Sequence, residues 1–201
     1  MAEATAQLDI TEEDQLRATW YSLFSRLLAK PADADVLEIL QGFEGDQSAF
    51  GQAIGALKAA AAKCPAKAIE QEYFDLFIGV GQGELVPYGS YYLTGFLHEK
   101  PLANLRKDME RLSIARSEGT SESEDHIAAL FDMMAGLITG RFGAPAELAI
   151  QRQFFDDHIG CWAPRFFENL QAAPSAAFYM PVGTLGTHFL AVEQASLEMA
   201  T

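Results

Sequence analysis

Apolar residues recur every three to four positions through almost the whole chain, the spacing of one face of an α-helix. The first stripe is Leu16, Trp20, Leu23, Phe24, Leu27 and Leu28. Thr11 stands ahead of it as an N-cap, and Glu12, Glu13 and Asp14 occupy the first turn, where carboxylates suit the positive end of the helix dipole. Lys30-Pro31 stops that helix, because a proline disfavours helical geometry in the residue before it. Asp33 or Asp35 caps a short second helix carrying Val36, Leu37, Ile39, Leu40 and Phe43, with Gly42 and Gly45 at its end. A third carries Phe50, Ile54 and Leu57 and stops at Cys64-Pro65. A fourth aligns Ile69, Tyr73, Leu76 and Phe77 and stops at Gly79.

The stretch from Gly79 to Ser90 then breaks the period, with four glycines and a proline in an otherwise helical chain. Its expected role is a flexible surface rim. Ser90 is placed to cap a short helix through Tyr91, Tyr92, Leu93, Phe96 and Leu97, and Pro101 to open the next, with Leu102, Leu105, Met109 and Leu112 on its apolar face. Residues 116–124 are polar and turn-rich. A long helix is expected from Asp125 to Phe142 on the positions Ile127, Leu130, Phe131, Met134, Leu137 and Ile138. The last third carries Leu148, Phe154, Phe155 and Ile159, then Trp162, Phe166, Phe167 and Leu170. Pro174 separates these from a final helix with Pro181 near its start and Leu185, Phe189 and Val192 along it. No period-2 strand and no internal repeat interrupts this pattern. The expectation is an all-α fold, a single globular domain of about ten helices over residues 11–201, preceded by a disordered tail at 1–10.

Composition narrows the function. A chain of 201 residues with 49% apolar content can bury a core without a disulfide or metal staple. Cys64 and Cys161 form no CxxC pair and are expected as buried thiols in a reducing compartment. The N-terminus has neither a basic nor an apolar signal region, and no stretch approaches the ~18 uncharged apolar residues of a membrane span, so a cytoplasmic location is expected. A net charge of −14 repels nucleic acid and anionic lipid and attracts basic partners.

Enzyme motifs are missing. The glycines at 79, 81 and 83 lack the lysine of a phosphate-binding loop, and a helical segment precedes them where a dinucleotide fingerprint needs a strand. His98-Glu99 begins like HExxH, but Leu102 stands at the second His position; no Glu-x-x-His occurs. The adjacent pairs Asp125-His126 and Asp157-His158 point about 100° apart on a helix and do not converge on one ion. No catalytic residue, metal or cofactor is therefore expected. The alternatives left open are a metal- or nucleotide-binding helical enzyme and a structural helical adaptor.

Three segments stand out from the helical background. Tyr73, Leu76, Phe77 and Gly79 fit Y-x-x-L-F-x-G; Pro87, Ser90 and Tyr92 fit P-x-x-S-x-Y; Glu122, Asp125 and His126 fit E-P-x-D-H, with Ser123 in place of the proline. In this order and spacing they resemble the TorD/DmsD/NarJ family of cytoplasmic chaperones for molybdenum-cofactor redox enzymes, over roughly residues 12–195. The resemblance implies a TorD-like helical fold. It also implies a non-enzymatic role, in which the protein binds the twin-arginine leader, the apo-enzyme body, or both, and delays export until the cofactor is inserted. Clients of such chaperones are dimethyl sulfoxide, trimethylamine N-oxide or nitrate reductases and formate dehydrogenases. Members occur as monomers or as homodimers that exchange helices.

A twin-arginine leader is basic, then apolar, so its receptor needs negative potential beside an apolar groove. The expected peptide-binding set is Phe77, Pro87, Ser90, Tyr91, Tyr92, Glu122, Asp125 and His126. Leu76, Phe77, Pro87, Tyr91 and Tyr92 would wall the groove, with much of Leu76 and Phe77 given to the core as part of a helical stripe. Asp125 would accept an arginine's N–H groups, or cap its own helix, and His126 would bond the peptide backbone or orient Asp125 and make binding pH-sensitive near 6.5.

Overall fold

The computed structural model describes residues 10–116 and 122–199, and among them it holds ten α-helices. These are α1 (Glu12–Ala29), α2 (Ala34–Gln41), α3 (Ala49–Lys63), α4 (Ala66–Tyr73), α5 (Gly89–Thr94), α6 (Lys100–Arg111), α7 (Ile127–Thr139), α8 (Leu148–Phe155), α9 (Ala163–Ala172) and α10 (Tyr179–Met199). A π-helical turn, Phe74–Ile78, extends α4, and a second, Asp156–Gly160, extends α8. The expected tail lies outside the described residues apart from Ile10, as does most of the polar turn before α7.

Several ends are set by the anticipated chemistry. The Thr11 side chain accepts from the Asp14 N–H, and Asp33, rather than Asp35, accepts from Val36. Pro101 falls in the first turn of α6. The buried stripes are narrower than the apolar periodicity implies, for Leu16, Ile39, Leu148 and Val192 are exposed. On α1 the inward position beside Leu16 belongs to Arg17, whose guanidinium meets Glu193 of α10 at 2.6 and 2.9 Å, while the Tyr21 hydroxyl donates to the same carboxylate at 3.1 Å. A periodicity count discards a charged residue at such a place. Here the charge is buried because its partner is buried opposite it.

α7 is the central element. It is buried along almost its whole length and packs along α1. Phe131 on α7 meets Tyr21 and Phe24 of α1 edge-on at 5.2 and 5.8 Å, and Phe167 of α9 and Phe189 of α10 close the same cluster. Tilted and edge-on contacts of this kind suit the ring quadrupole and add to the hydrophobic burial. α10 packs against α9 and α3. Its entry is built by Glu72 of α4, a buried carboxylate that accepts from the N–H groups of Ala177, Phe178 and Tyr179 at 2.7–2.9 Å. A helix start has unpaired N–H donors, and Glu72 satisfies them from another part of the chain.

The thiols differ from expectation. Cys161 is exposed and Cys64 half-buried, since each sits at a helix terminus rather than on an inward stripe. No described helix is long and apolar enough to cross a membrane.

Candidate peptide-binding site

The glycine-rich segment is fixed by the π turn it follows. Gly79 has φ +62°, and a Cβ there would lie 2.1 Å from the Gln82 carbonyl oxygen. A Cβ on Gly83 would press against the Leu76 carbonyl at 2.6 Å. The chain therefore folds back tightly, and the N–H groups of Glu84 and Leu85 donate to Asp75 and Leu76. The expected flexible rim is thus laced down at both ends. Only its tip projects, with Val80 98% exposed.

From Pro87 the chain runs antiparallel to the residues ahead of α7. The Ile127 N–H donates to the Pro87 carbonyl at 2.9 Å and the Gly89 N–H to the Asp125 carbonyl at 2.9 Å, forming an isolated bridge between Tyr88 and His126. The Asp125 carboxylate completes the zip. Its Oδ2 accepts from the Ser90 N–H at 2.8 Å, and its Oδ1 accepts from the Ser123 hydroxyl at 2.7 Å. Asp125 is 3% exposed. The two sequence motifs are bonded to each other here, and Ser123, which departs from the family pattern, supplies one of the bonds.

This geometry corrects three expectations. Asp125 does not cap α7 and does not present its carboxylate to an incoming arginine, because both oxygens serve its own chain; the group it caps is the first turn of α5. His126 is the N-cap of α7, its Nδ1 accepting from the Ala128 N–H at 3.1 Å. Burial pushes the His126 imidazole down to about 4, against the pull of Glu122 and Asp125, so it is neutral and Nε2 carries the proton. A switch near pH 6.5 is not what this site provides. Ser90 neither caps α5 with its side chain nor faces a groove; it is fully buried and its Oγ has no hydrogen-bond partner among the described residues.

Two hollows flank the zip. The first, of about 470 Å3, is apolar: Phe77, Pro87, Tyr88 and Tyr91 line it, and Phe96 and Leu97 form its far rim. Of its lining residues Ile78, Tyr91, Phe96 and Leu97 are exposed, Phe96 by 69%. Exposed apolar side chains concentrated about a concave surface mark an interaction site. Of the expected wall residues, Phe77, Pro87 and Tyr91 meet here. Tyr92 turns inward, stacks on Trp162 at 5.2 Å and accepts from Asn169. Leu76 is wholly core.

The second hollow, of about 450 Å3, lies along α7. Ala29, Ile114, Ala128 and Met133 give it an apolar floor, the acids Glu122, Glu124 and Asp132 line it beside Arg116 and Arg141, and His126 forms part of its wall. Tyr88 stands between the hollows. Its ring lines the apolar one and meets His126 edge-on at 5.0 Å, and its hydroxyl donates to Glu122 in the acidic one. Sequence reasoning missed Tyr88, which occupies an unassigned place inside P-x-x-S-x-Y. It also missed Ile78 and Phe96, large apolar residues at the end of a π turn and just past the end of α5, where no helix face can bury them.

Trp162 donates its Nε1–H to the His158 carbonyl at 2.7 Å, and His158 Nε2 lies 2.9 Å from Asp108, so this pair packs and ties helices together. Among the described residues no group of three or more His, Cys, Asp or Glu side chains is placed to hold a metal ion.

Residues 44–168 match the family model of the nitrate reductase delta subunit. The chain belongs to this TorD/DmsD/NarJ family. It is 29% identical over 130 residues to the chaperone protein TorD of Aliivibrio salmonicida, covering 61% of this chain and 59% of that one. The identity to the TorD chaperone of Vibrio parahaemolyticus is 24% over 205 residues, 92% of this chain and 95% of that one. A Haemophilus influenzae protein described as a probable Tat proofreading chaperone, DmsD, is 30% identical over 119 residues, 58% of this chain and 56% of that one. The alignments with three TorD chaperones of Aliivibrio and Vibrio span between 58% and 62% of those proteins. The family fold is also that of a solved structure from Archaeoglobus fulgidus described as a redox enzyme maturation protein, with a TM-score of 0.56 at 17% identity, covering 94% of this chain and 99% of that one.

Proposed function

We propose that this family member is a cytoplasmic maturation chaperone for a molybdenum-cofactor oxidoreductase. It binds the enzyme's twin-arginine leader, its apo form, or both, assists cofactor insertion and prevents premature export. It carries out no chemistry of its own. The observation that carries the reading is the pair of hollows sharing Tyr88. An exposed apolar hollow lies on one side and an acidic cavity on the other, the order of properties that a leader with a basic segment followed by an apolar one requires. One leucine-sized side chain buried in the apolar hollow contributes about 1.5–3 kcal/mol. The net charge of −14 adds long-range attraction for the basic part, screened over about 8 Å at physiological salt. The relatives named as chaperones support the same role.

The test is titration of the full chain with synthetic leaders of the molybdoenzymes from the same cell, at several salt concentrations. The proposal expects saturable binding that weakens as salt rises. No binding of any leader or apo-enzyme at any salt concentration overturns it.

A further inference from the structure

The acidic cavity holds three carboxylates, and the protein's own arginines already claim two. Glu124 pairs with Arg106 at 2.8 Å and Arg116 at 3.8 Å, and Asp132 pairs with Arg141 at 2.6 Å. Glu122 is exposed and forms no ion pair among the described residues. Its Oε2 accepts instead from the Tyr88 hydroxyl, while Oε1 accepts no hydrogen bond there. In the same cavity wall, His126 is 7% exposed, its Nδ1 is occupied by the Ala128 N–H, and its Nε2 makes no hydrogen bond among the described residues. One anchored carboxylate and one unpartnered donor therefore face the same space.

Tyr88 is a rigid anchor. Its backbone is held in the bridge to His126, its ring is wedged edge-on against that imidazole, and it has no long flexible stem. Burial and Glu122 hold its phenol well above the usual range, so the hydroxyl always donates. A free glutamate on the surface samples many rotamers and meets any cation equally well. A glutamate pinned through one oxygen presents the remaining lone pairs in a set direction. A planar guanidinium, with its fork of N–H donors, gains from a set direction, whereas an ammonium, a point charge with rotatable donors, does not.

We propose that the Tyr88 hydroxyl is the specificity determinant of the basic end of the site: by holding Glu122 in place it makes the chaperone select arginine over lysine. This rests on the leader-binding reading and names the residue that reads the arginine.

The test compares two synthetic peptides, a twin-arginine leader and the same leader with both arginines changed to lysine, binding to the full chain. Wild type is expected to prefer the arginine peptide by about tenfold, the factor carried by 1.4 kcal/mol. Tyr88→Phe keeps the ring and the apolar wall, and the ratio of the two affinities should fall to about twofold or less, a difference of roughly 0.4 kcal/mol. Glu122→Asp, at an exposed position with little effect on folding, withdraws the carboxylate from the hydroxyl and should lose the preference in the same way. A preference that survives in both variants overturns the role of Tyr88 and leaves leader binding standing. Failure of both peptides to bind wild type overturns this inference together with the leader-binding part of the proposed function, and leaves binding of the apo-enzyme body to the titration described above.

Discussion

The backbone N–H of Ser90 donates to the carboxylate of Asp125 at 2.8 Å, across 35 residues of chain. This bond, with the Pro87–Ile127 and Gly89–Asp125 backbone bonds beside it, makes the start of α5 and the start of α7 one unit. It holds Tyr88 between the two hollows. Asp125 thus positions Tyr88 and His126.

Asp125→Ala should therefore act first on stability. It removes a charge-assisted bond and leaves the buried Ser90 N–H and Ser123 hydroxyl unpaired, a loss of about 1.5–3 kcal/mol. Urea denaturation at neutral pH checks this. Unchanged stability would show that the zip does not depend on the carboxylate.

His126 predicts a pH dependence of stability. The folded imidazole titrates at about 4 because burial disfavours its charge, and the unfolded one at its ordinary 6.5. Between these values the unfolded chain binds a proton that the folded chain does not, so stability is lost as pH falls from about 6.5 to about 4 and the loss then levels off. The full shift corresponds to about 3 kcal/mol. Denaturation curves at a series of pH values should show this component in wild type and not in His126→Gln.

The Arg17–Glu193 pair should be stringent toward single changes and lenient toward a combined one. Glu193→Ala strands a buried guanidinium and the Tyr21 hydroxyl, at a cost of about 3–5 kcal/mol. Arg17→Met and Glu193→Leu combined with Tyr21→Phe replace the pair and its hydroxyl with apolar packing and should recover most of that loss. Chemical denaturation of wild type and the two variants decides it.

Much of the fold was legible because helix starts and stops are local chemistry. Thr11, Asp33 and Pro101 act where a residue's own side chain and backbone decide the outcome. What was not legible depends on distant partners. Nothing near Glu72 announces that it will cap a helix a hundred residues later, and nothing near Arg17 announces Glu193. The site divides the same way. Phe77, Pro87 and Tyr91 meet at the apolar hollow because a broken period beside glycines marks an exposed apolar surface. His126 forms part of the acidic hollow's wall, whereas Asp125 lines neither hollow and holds the chain behind them. A carboxylate read from sequence looks available to any cation, and only the packing shows that Asp125 is taken by Ser90 and Ser123 while its neighbour Glu122 stays open.

In the proposed complex one polypeptide lies across Tyr88, its cationic part at Glu122 and its apolar part in the hollow beside Phe96. The most direct measurement is the affinity of a single twin-arginine leader for wild type, Glu122→Gln and Phe96→Ser at low and high salt. Both positions are exposed, so stability should shift by no more than about 0.5 kcal/mol. Glu122→Gln should weaken binding mainly at low salt and flatten its salt dependence. Phe96→Ser should weaken it about tenfold at every salt concentration, as the loss of roughly 1.4 kcal/mol of apolar contact demands. A leader that binds all three proteins with the same affinity and the same salt dependence contradicts this arrangement.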